Sequence, residues 1–265
     1  MQNWITRLNS PHEAIVFRRP TDEFGVLSNM SRAFPSRIYG IRIRSTEHLY
    51  QAMRFGRHPR IQRVVLDQRM PHAAKRVARR FKHCARHDWS QVRVAVMYWA
   101  LRVKLAIHWD RLSRLFERTG TRPFVYHAVR DGFWGAMPVG AKTLCGENKL
   151  GQLWMDLRQA RQGPLPNELK VIRPPDIADF SLLGLPVATM NLSNELPDKR
   201  LLDRADLSRL GISDDATVSS LLSASGQAQA TNVITTRDDA LRFAVELEQR
   251  RKASWQSQLL AERAA

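Results

Sequence analysis

The chain has 265 residues, of which 43% are hydrophobic and 25% charged, a composition typical of one large globular domain or of one with a small second unit. No apolar run approaches the roughly 20 residues of a membrane helix, and the first ten residues lack the apolar core of a signal peptide. The lack of such a run means that we expect no membrane partner. Only two cysteines occur, Cys84 and Cys145, so we expect a cytoplasmic protein with no disulfide framework.

The charge is distributed unevenly along the chain. Residues 1–166 contain 30 Lys and Arg against 11 Asp and Glu, a balance of +19, whereas residues 167–265 contain 12 against 14, a balance of −2. A domain this basic attracts polyanions over long distances. Nucleic acid is therefore one predicted partner, and the alternative is a solvated surface that is merely rich in arginine.

The first region is predicted to begin with two short strands. Residues 14–18 are apolar and β-branched, and residues 39–44 alternate apolar side chains with arginine. Gly, Pro and Ser make the segment between them a loop. A helix should then begin after the capping residue Ser45 or Thr46 and end near Gly56.

Several helices follow this start. Glu47, Gln51 and Arg54 share one face of the first helix because they lie at helical spacing. Pro71 suits the first turn of the next helix, which carries a basic stripe. A long helix should start near Trp89. A shorter helix over 111–118, a strand over 124–129 and a closing helix over 150–161 are predicted after it.

The elements predicted in residues 1–163 are mostly helices, with a small sheet. Residues 164–200 contain six prolines and little periodicity, which indicates a linker or a segment that wraps around the domain. Residues 201–265 indicate a helical C-terminal region of unknown role, with a small, polar and flexible stretch over 223–231. Its helices are predicted over 201–210, 216–223 and 237–264.

Four segments carry a resemblance to a known family. They are FGVLSN at 24–29, STEHLYQAMRF at 45–55, DGFWG at 131–135 and GENKLG at 146–151. In this order and at these separations they resemble the NADAR (YbiA-like) N-glycosidase family over roughly residues 13–160. The resemblance implies a compact α+β fold that hydrolyses N-glycosidic bonds without a metal or a cofactor. It also implies a ribosylated small molecule of early riboflavin synthesis, or ADP-ribosylated guanine in nucleic acid, as the substrate.

The resemblance also implies functional residues. The acidic residue of the family's Glu-His motif corresponds to Glu47, which we predict to be catalytic together with Asp131 and Arg54. A carboxylate near the sugar stabilises oxocarbenium-like charge or activates water, and indole rings stack on bases. Taken singly, Glu47 could instead complement the helix dipole, and the tryptophans could be core residues. Substrate contacts are predicted for Asn29, Trp89, Lys104, Trp134, Gly135 and Asn148.

Two positions depart from the family pattern. The family has a lysine seven residues after the motif glutamate, thought to form a Schiff base with the opened ribose, and this chain has Arg54 there. Arginine stays protonated and cannot be an amine nucleophile, although it can bind phosphate through two hydrogen bonds. Lys104 also matches a family lysine and could supply a substitute amine, although an ordinary surface or structural role is favoured. Tyr126 occupies a position where the family usually has glutamate.

Three functions therefore stay open at the level of sequence. The first is an active N-glycosidase, the second a binding module of the same fold without turnover, and the third a basic nucleic-acid-binding protein with the C-terminal region as a partner adaptor. His83, Cys84 and His87 are interpreted as a polar helix end rather than a metal site, because zinc requires about four suitably spaced ligands.

Overall fold

The protein is described by a computed structural model that covers residues 4–7, 14–38, 41–141, 143–159, 166–192, 201–230, 234 and 236–263. It has an α+β fold in which helices predominate over several small sheets. Within those residues, no helix is both long and apolar enough to cross a membrane.

Helices provide most of the framework in the described residues. Pro59 and Pro71 occupy the first turns of the second and third helices, where a missing N–H costs nothing. The fifth helix ends at Gly120, whose φ of 55° is readily adopted only by glycine. The helices are α1 (Thr46–Ala52), α2 (Pro59–Leu66), α3 (Pro71–Arg80), α4 (Trp89–Ile107), α5 (Trp109–Thr119), α6 (Lys149–Gln159), α7 (Asn167–Lys170), α8 (Arg204–Arg209), α9 (Asp215–Ala230) and α10 (Arg237–Arg263).

The strands are short and form separate small sheets. In the described residues they are β1 (Trp4–Arg7), β2 (Ile15–Phe17), β3 (Ser36–Ile38), β4 (Ile41–Ile43), β5 (Phe124–Tyr126), β6 (Met137–Pro138), β7 (Thr143–Gly146), β8 (Val171–Ile172), β9 (Ser181–Leu182), β10 (Leu185–Pro186) and β11 (Met190–Asn191). β2 pairs in parallel with β5, whereas β1, β7 and β6 form an antiparallel three-stranded sheet. The other pairs, β3–β4, β8–β11 and β9–β10, are antiparallel.

Helix α4 lies at the centre of the main core. Trp99, Leu101 and Leu105 on it are buried, and α1, α6 and α7 pack around it. Trp154 of α6 is fully buried and donates a hydrogen bond of 2.8 Å from Nε1 to the carbonyl oxygen of Leu27. This bond satisfies the indole N–H inside the core and fixes the loop that precedes β3.

Residues 166–192 pack into the same core. Phe180 contacts Trp99 edge-to-face, with ring centroids 5.0 Å apart, and is buried together with Leu182. The amide of Gln62 on α2 donates to the carbonyl of Ser181 at 2.8 Å and accepts from the N–H of Leu183 at 2.6 Å. The described part of the proline-containing segment thus lies along α2 and α4 through hydrogen bonds and buried side chains.

The helices after residue 200 form a second apolar cluster. Val218 and Leu221 of α9 are buried with Ala240 and Ala244 of α10, and Leu185 of β10 joins them. Helix α8 begins with a capping box, in which the side chains of Asp203 and Asp206 accept each other's backbone N–H. This cluster gives α8–α10 a core of their own.

Several predicted elements are confirmed and others differ. α4 begins at Trp89 as predicted, and α10 covers nearly all of 237–264. The strand predicted over 124–129 ends at Tyr126, and the helix predicted to reach Gly56 becomes a 3-10 turn from Met53. The prediction of a flexible stretch over 223–231 is wrong, because α9 continues to Ala230.

The differences have physical reasons. The alternation predicted over 39–44 corresponds in part to β4, which pairs with β3. Residues 39 and 40 lie outside the described residues. The small residues of 223–230 are compatible with a helix because α10 packs against α9 and supplies the apolar contacts that the sequence pattern lacks. Sequence residues 160–165 and 193–200 also lie outside the described residues.

Candidate functional site

A pocket of about 280 Å³ opens where the loop at residues 28–30, helices α1 and α3, strand β5 and the loop at residues 128–134 meet. We call it the Glu47 pocket. The side chains and backbone that line it mix acidic, basic, aromatic and amide groups. They include Asn29, Glu47, Tyr50, Gln51, Lys75, Arg79, Tyr126, Arg130, Asp131 and Trp134.

Glu47 is the most deeply placed acid of this pocket, with 4% of its surface exposed. It lies in the first turn of α1, and its backbone N–H donates to the carbonyl of Asn29 at 3.1 Å. Burial raises the pKa of its carboxyl group, while the charge of Lys75 and a hydrogen bond from Gln51 act in the opposite direction. The result is a carboxyl group that holds a proton more tightly than an exposed glutamate does.

The neighbouring His48 stabilises the helix start and does not line the Glu47 pocket. Its Nδ1 lies 2.8 Å from the Ser45 hydroxyl, and its Nε2 lies 2.9 Å from the carbonyl of Gln68. Burial lowers the pKa of the ring, although the hydrogen bond to Gln68 opposes this shift. In the Glu-His pair, one side chain therefore faces the pocket while the other anchors α1.

Arg54 reaches Glu47 only through Gln51. The Gln51 amide donates to Glu47 Oε1 at 2.8 Å, and its oxygen accepts from Arg54 Nη1 at 3.1 Å. The shared face predicted for Glu47, Gln51 and Arg54 is thus a chain of hydrogen bonds along α1. Arg54 itself is not among the residues that line the Glu47 pocket, and its guanidinium lies 5.4 Å from the centre of the Trp89 ring.

The two predicted tryptophans take different positions. Trp134 lines the Glu47 pocket, whereas Trp89 lies behind it, next to Arg54. Tyr50 lies between them, with its ring centroid 5.0 Å from Trp89 and 5.6 Å from Trp134. The aromatic series gives the pocket a rigid wall, of which Trp134 is the predicted residue that faces the cavity.

Asp131 and Gly135 shape the loop that carries Trp134. Asp131 lines the pocket, and its Oδ1 accepts the backbone N–H of Trp134 at 3.0 Å. A Cβ at Gly135 would lie 2.4 Å from the carbonyl oxygen of Tyr126, so only glycine fits there without displacement. Asp131 is therefore both a second acid of the pocket and the residue that orients the indole.

The two predicted asparagines differ in their available hydrogen-bonding groups. Asn29 lines the pocket; its amide nitrogen lies 3.1 Å from the sulfur of Met97, and its buried Oδ1 has no hydrogen-bond partner within the described part of the chain. Asn148 is fully buried and bonds the backbone of β5 twice, to Phe124 and to Tyr126, at 2.8 and 2.9 Å. The nitrogen and the oxygen of the Asn148 side-chain amide are thus both hydrogen-bonded to β5, and Asn148 does not line the pocket.

Lys104 lies beneath the loop at residues 25–29 rather than in the pocket. Burial lowers the pKa of its ammonium group to about 7. Its Nζ donates to the carbonyl of Val26 and lies 3.4 Å from that of Ser28. Since Ser28 and Asn29 line the pocket, Lys104 acts on the site by positioning this loop.

The structure adds pocket residues that the sequence did not identify as a site. Lys75 and Arg79 come from the basic stripe of α3, and Arg130 comes from the loop after β5. Tyr126 also lines the pocket. Burial is the main cause that raises the pKa of its phenol, and the charges of Glu47 and Asp131 raise it further. The basic stripe was visible in the sequence, but nothing in it showed that two of its members point towards Glu47.

No group of three or more side chains suited to a metal ion is present among the residues that the structure describes. His83 and Cys84 both lie within a 3-10 turn over Lys82–Cys84 and do not line the Glu47 pocket. The described lining of the Glu47 pocket supplies acids, cations and aromatic rings.

Comparison with known proteins gives consistent matches over the region that contains the pocket. The family model described as NADAR domain matches residues 16–160. N-glycosidase YbiA of Escherichia coli strain K12 is 31% identical over 145 residues, which are 55% of this chain and 86% of the relative. The NMR structure of the Escherichia coli protein YbiA is 30% identical and covers 56% of this chain and 84% of that one, with a TM-score of 0.48.

A longer relative matches the same region. A riboflavin biosynthesis protein of Vibrio vulnificus strain YJ016 is 32% identical over 165 residues, which are 62% of this chain. The chain spans only 42% of that relative's length.

Proposed function

Because the chain belongs to the NADAR family, whose model matches more than half of it, we propose that it is an N-glycosidase. In this proposal the Glu47 pocket hydrolyses the bond between a ribose and a heterocyclic base. The observation that carries the proposal is the burial of the Glu47 carboxyl group inside a pocket with an aromatic wall and a basic mouth.

The chemistry of Glu47 suits this reaction. Cleavage of a base–ribose bond leaves negative charge on the base and positive, oxocarbenium-like charge on the sugar. A carboxyl group with a raised pKa can donate its proton to the departing base, and as a carboxylate it can then activate water or stabilise the sugar cation. Asp131, at the same pocket, supplies a second carboxylate for the water.

Direct attack by water is the route that the side chains favour. Arg54 cannot form a Schiff base, and it contacts Gln51 rather than the cavity. Lys104 has an amine whose pKa is lowered to about 7, but its Nζ is engaged beneath the loop of Ser28. We therefore propose hydrolysis without a covalent intermediate.

The lining of the pocket supports a substrate that combines a base with phosphate. The indole of Trp134 and the phenol of Tyr126 can stack on or border a heterocycle, and the buried Oδ1 of Asn29 can accept a hydrogen bond from it. Lys75, Arg79 and Arg130 can bind phosphate oxygens at the mouth. ADP-ribosylated guanine in nucleic acid and a ribosylated intermediate of riboflavin synthesis are the two substrates we propose.

The test is incubation with ADP-ribosylated DNA and with riboflavin-pathway intermediates, with the released base measured by mass spectrometry. We expect release with one of them, and a loss of about 10²–10⁴-fold in turnover for Glu47→Gln. Glu117→Gln, an exposed change on α5, is the matched control and should keep full turnover.

The result also distinguishes the second candidate function. The replacement of a lysine by Arg54 favours a binding module as the alternative to an enzyme. Tight binding of an ADP-ribosylated substrate without release of base by the wild-type chain would contradict the glycosidase proposal and favour that alternative. Equal turnover in Glu47→Gln and wild type would contradict the role of Glu47.

A further inference from the structure

A second pocket, of about 330 Å³, lies at the other end of α1. Three segments build it: residues 54–58, residues 83–88, and residues 178–179. We call it the Arg54 pocket. Its third wall lies outside residues 16–160, so the part of the chain that matches the family model cannot form this pocket alone.

One ion pair and one hydrogen bond connect the walls of the pocket. Arg57 Nε lies 2.6 Å from Asp179 Oδ2. Arg86 donates from Nη2 to Asp88 Oδ2 at 2.9 Å and to the carbonyl of Ala178 at 2.8 Å. A Cβ at Gly56 would lie 2.1 Å from the carbonyl oxygen of Asp179, so the two segments are in direct backbone contact. Both carboxylates of the lining are therefore already paired with an arginine.

Arg54 is the arginine of this pocket that lacks such a partner. Among the described residues, no carboxylate lies within ion-pair distance of its guanidinium, and its Nε is buried without a hydrogen-bond acceptor. Its one side-chain hydrogen bond in the described part of the chain goes to the neutral amide of Gln51. Desolvation of this half-buried cation is costly, and among the described residues no ion pair offsets it; the Glu47 carboxyl group acts on it from a distance, and the Trp89 ring centre lies 5.4 Å away.

Other features of the pocket add positive potential near Arg54. His58 precedes α2 and Asp88 precedes α4, so the first turns of two helices start at its edge. Helix N-termini carry partial positive charge and favour anions. His83 and His87 complete the lining, and neither brings negative charge.

We propose that the Arg54 pocket is a second binding site, and that its ligand is a phosphate-class anion that pairs with the Arg54 guanidinium. The planar guanidinium can donate two parallel hydrogen bonds to such an oxyanion. The cavity has room for a diphosphate as well as for a single phosphate. The site is separate from the Glu47 pocket, with which it shares no lining residue.

The two pockets are connected through Gln51. An anion bound to Arg54 is linked by the Arg54–Gln51–Glu47 hydrogen bonds to the acid of the other pocket. This link predicts that pyrophosphate changes the turnover number of the glycosidase rather than its KM, a prediction that rests on the proposed function. The binding experiment below does not depend on turnover, so the two proposals can fail separately.

Cys84 offers a direct probe because it lines the Arg54 pocket, is half-buried and is not part of a disulfide. Cys145, also half-buried, lies in β7 and serves as an internal reference. The wild-type chain is treated with iodoacetamide with and without inorganic pyrophosphate, at equal ionic strength set with sodium chloride, and each cysteine is followed by peptide mass spectrometry. We expect pyrophosphate to slow modification of Cys84 several-fold and to leave Cys145 unchanged.

Variants identify the group responsible. Arg54→Met should abolish the protection of Cys84, whereas Arg80→Met removes the same charge from the exposed surface of α3 and should preserve it. Lys75→Met, a change in the Glu47 pocket, should also preserve it. Circular dichroism checks that each variant is folded.

Three outcomes would overturn the proposal. They are equal Cys84 rates with and without pyrophosphate in the wild type, equal protection of both cysteines, and undiminished protection in Arg54→Met. The first two need no variant, so the proposal stays testable even if Arg54→Met does not fold.

Discussion

The region that matches the family model and the region that follows it differ in what is built into their apolar cores. In residues 16–160, a large apolar core contains buried polar groups that fix loops and strands: Lys104 and Trp154 bond loop carbonyls, and Asn148 bonds β5. In residues 201–263, an apolar cluster between α9 and α10 does most of the packing. Residues 166–192 belong by sequence to the second region and by packing to the first. The end of the family match is thus not the end of the packed core.

Of the changes that test this comparison, truncation should lower the stability of the protein most. A chain ending at Gln159 loses the buried side chains of Leu169, Ile172, Phe180 and Leu182. At about 1.5–3 kcal/mol for each fully buried side chain, this loss approaches the whole stability of a typical domain. We expect thermal unfolding of the shortened chain, followed by circular dichroism, to lose its cooperative transition.

The matched control for that truncation is a chain ending at residue 200. It keeps residues 166–192 and removes α8–α10, so it should retain a cooperative transition. If the chain ending at Gln159 unfolds as cooperatively as the longer one, residues 166–192 are not part of the core.

Two single substitutions, one in each apolar core, test whether the two regions respond separately. Phe180→Ala removes the ring that packs on Trp99 and should destabilise the main core by about 3–5 kcal/mol. Leu221→Ala, in the cluster of α9 and α10, should cost about 2–5 kcal/mol there. Hydrogen exchange should show increased exchange in α4 only for the first variant, and an equal response of α4 to both would contradict two separate cores.

Lys104 should make the stability of the family-matched region depend on pH. Burial lowers its pKa to about 7 from an ordinary value of 10.5, so between these values the unfolded chain binds more protons than the folded one. Its contribution to the free energy of unfolding should therefore rise with pH from about 7 to about 10.5, by an amount on the order of a few kcal/mol.

Denaturant unfolding at several pH values tests this prediction. Lys104→Met should lose the part of the pH dependence that lies in this interval. An identical pH dependence in wild type and Lys104→Met would show that the ammonium group does not titrate there.

The smallest effect is expected at the surface contact between the two regions. Arg57 and Asp179 are 74% and 46% exposed, so their ion pair should contribute only about 0.2–1 kcal/mol. Arg57→Gln should shift the urea midpoint slightly, and the shift should shrink in high salt. A loss of several kcal/mol would mean that residues 178–179 are held mainly by this pair rather than by the packing of Phe180.

The sequence predicted the elements whose signals are local. Pro71 and the start at Trp89 are confirmed as helix beginnings, and the shared face of Glu47, Gln51 and Arg54 follows from helical spacing. The short strands β6 and β7 could not be predicted, because two to four residues carry too little periodicity.

The functional roles were harder to predict than the positions. Asn148 lies in a motif of the family, yet its contacts are with the backbone of β5, and its φ of 52° shows a position that asparagine tolerates better than most residues. The predicted site roles of Trp89, Arg54 and Lys104 likewise depend on which way each side chain points, and spacing along one chain does not determine this. The predicted substrate contacts remain predictions until a ligand is bound.

The amide of Gln51 makes the two oxygens of Glu47 unequal. An amide has a direction: its nitrogen faces Glu47 Oε1 while its oxygen faces Arg54, and turning it over would set like groups against each other on both sides. Oε1 is thereby fixed as an acceptor, so the proton of the neutral carboxyl group belongs on Oε2. In the proposed reaction, the orientation of one uncharged side chain thus determines which oxygen of Glu47 delivers the proton.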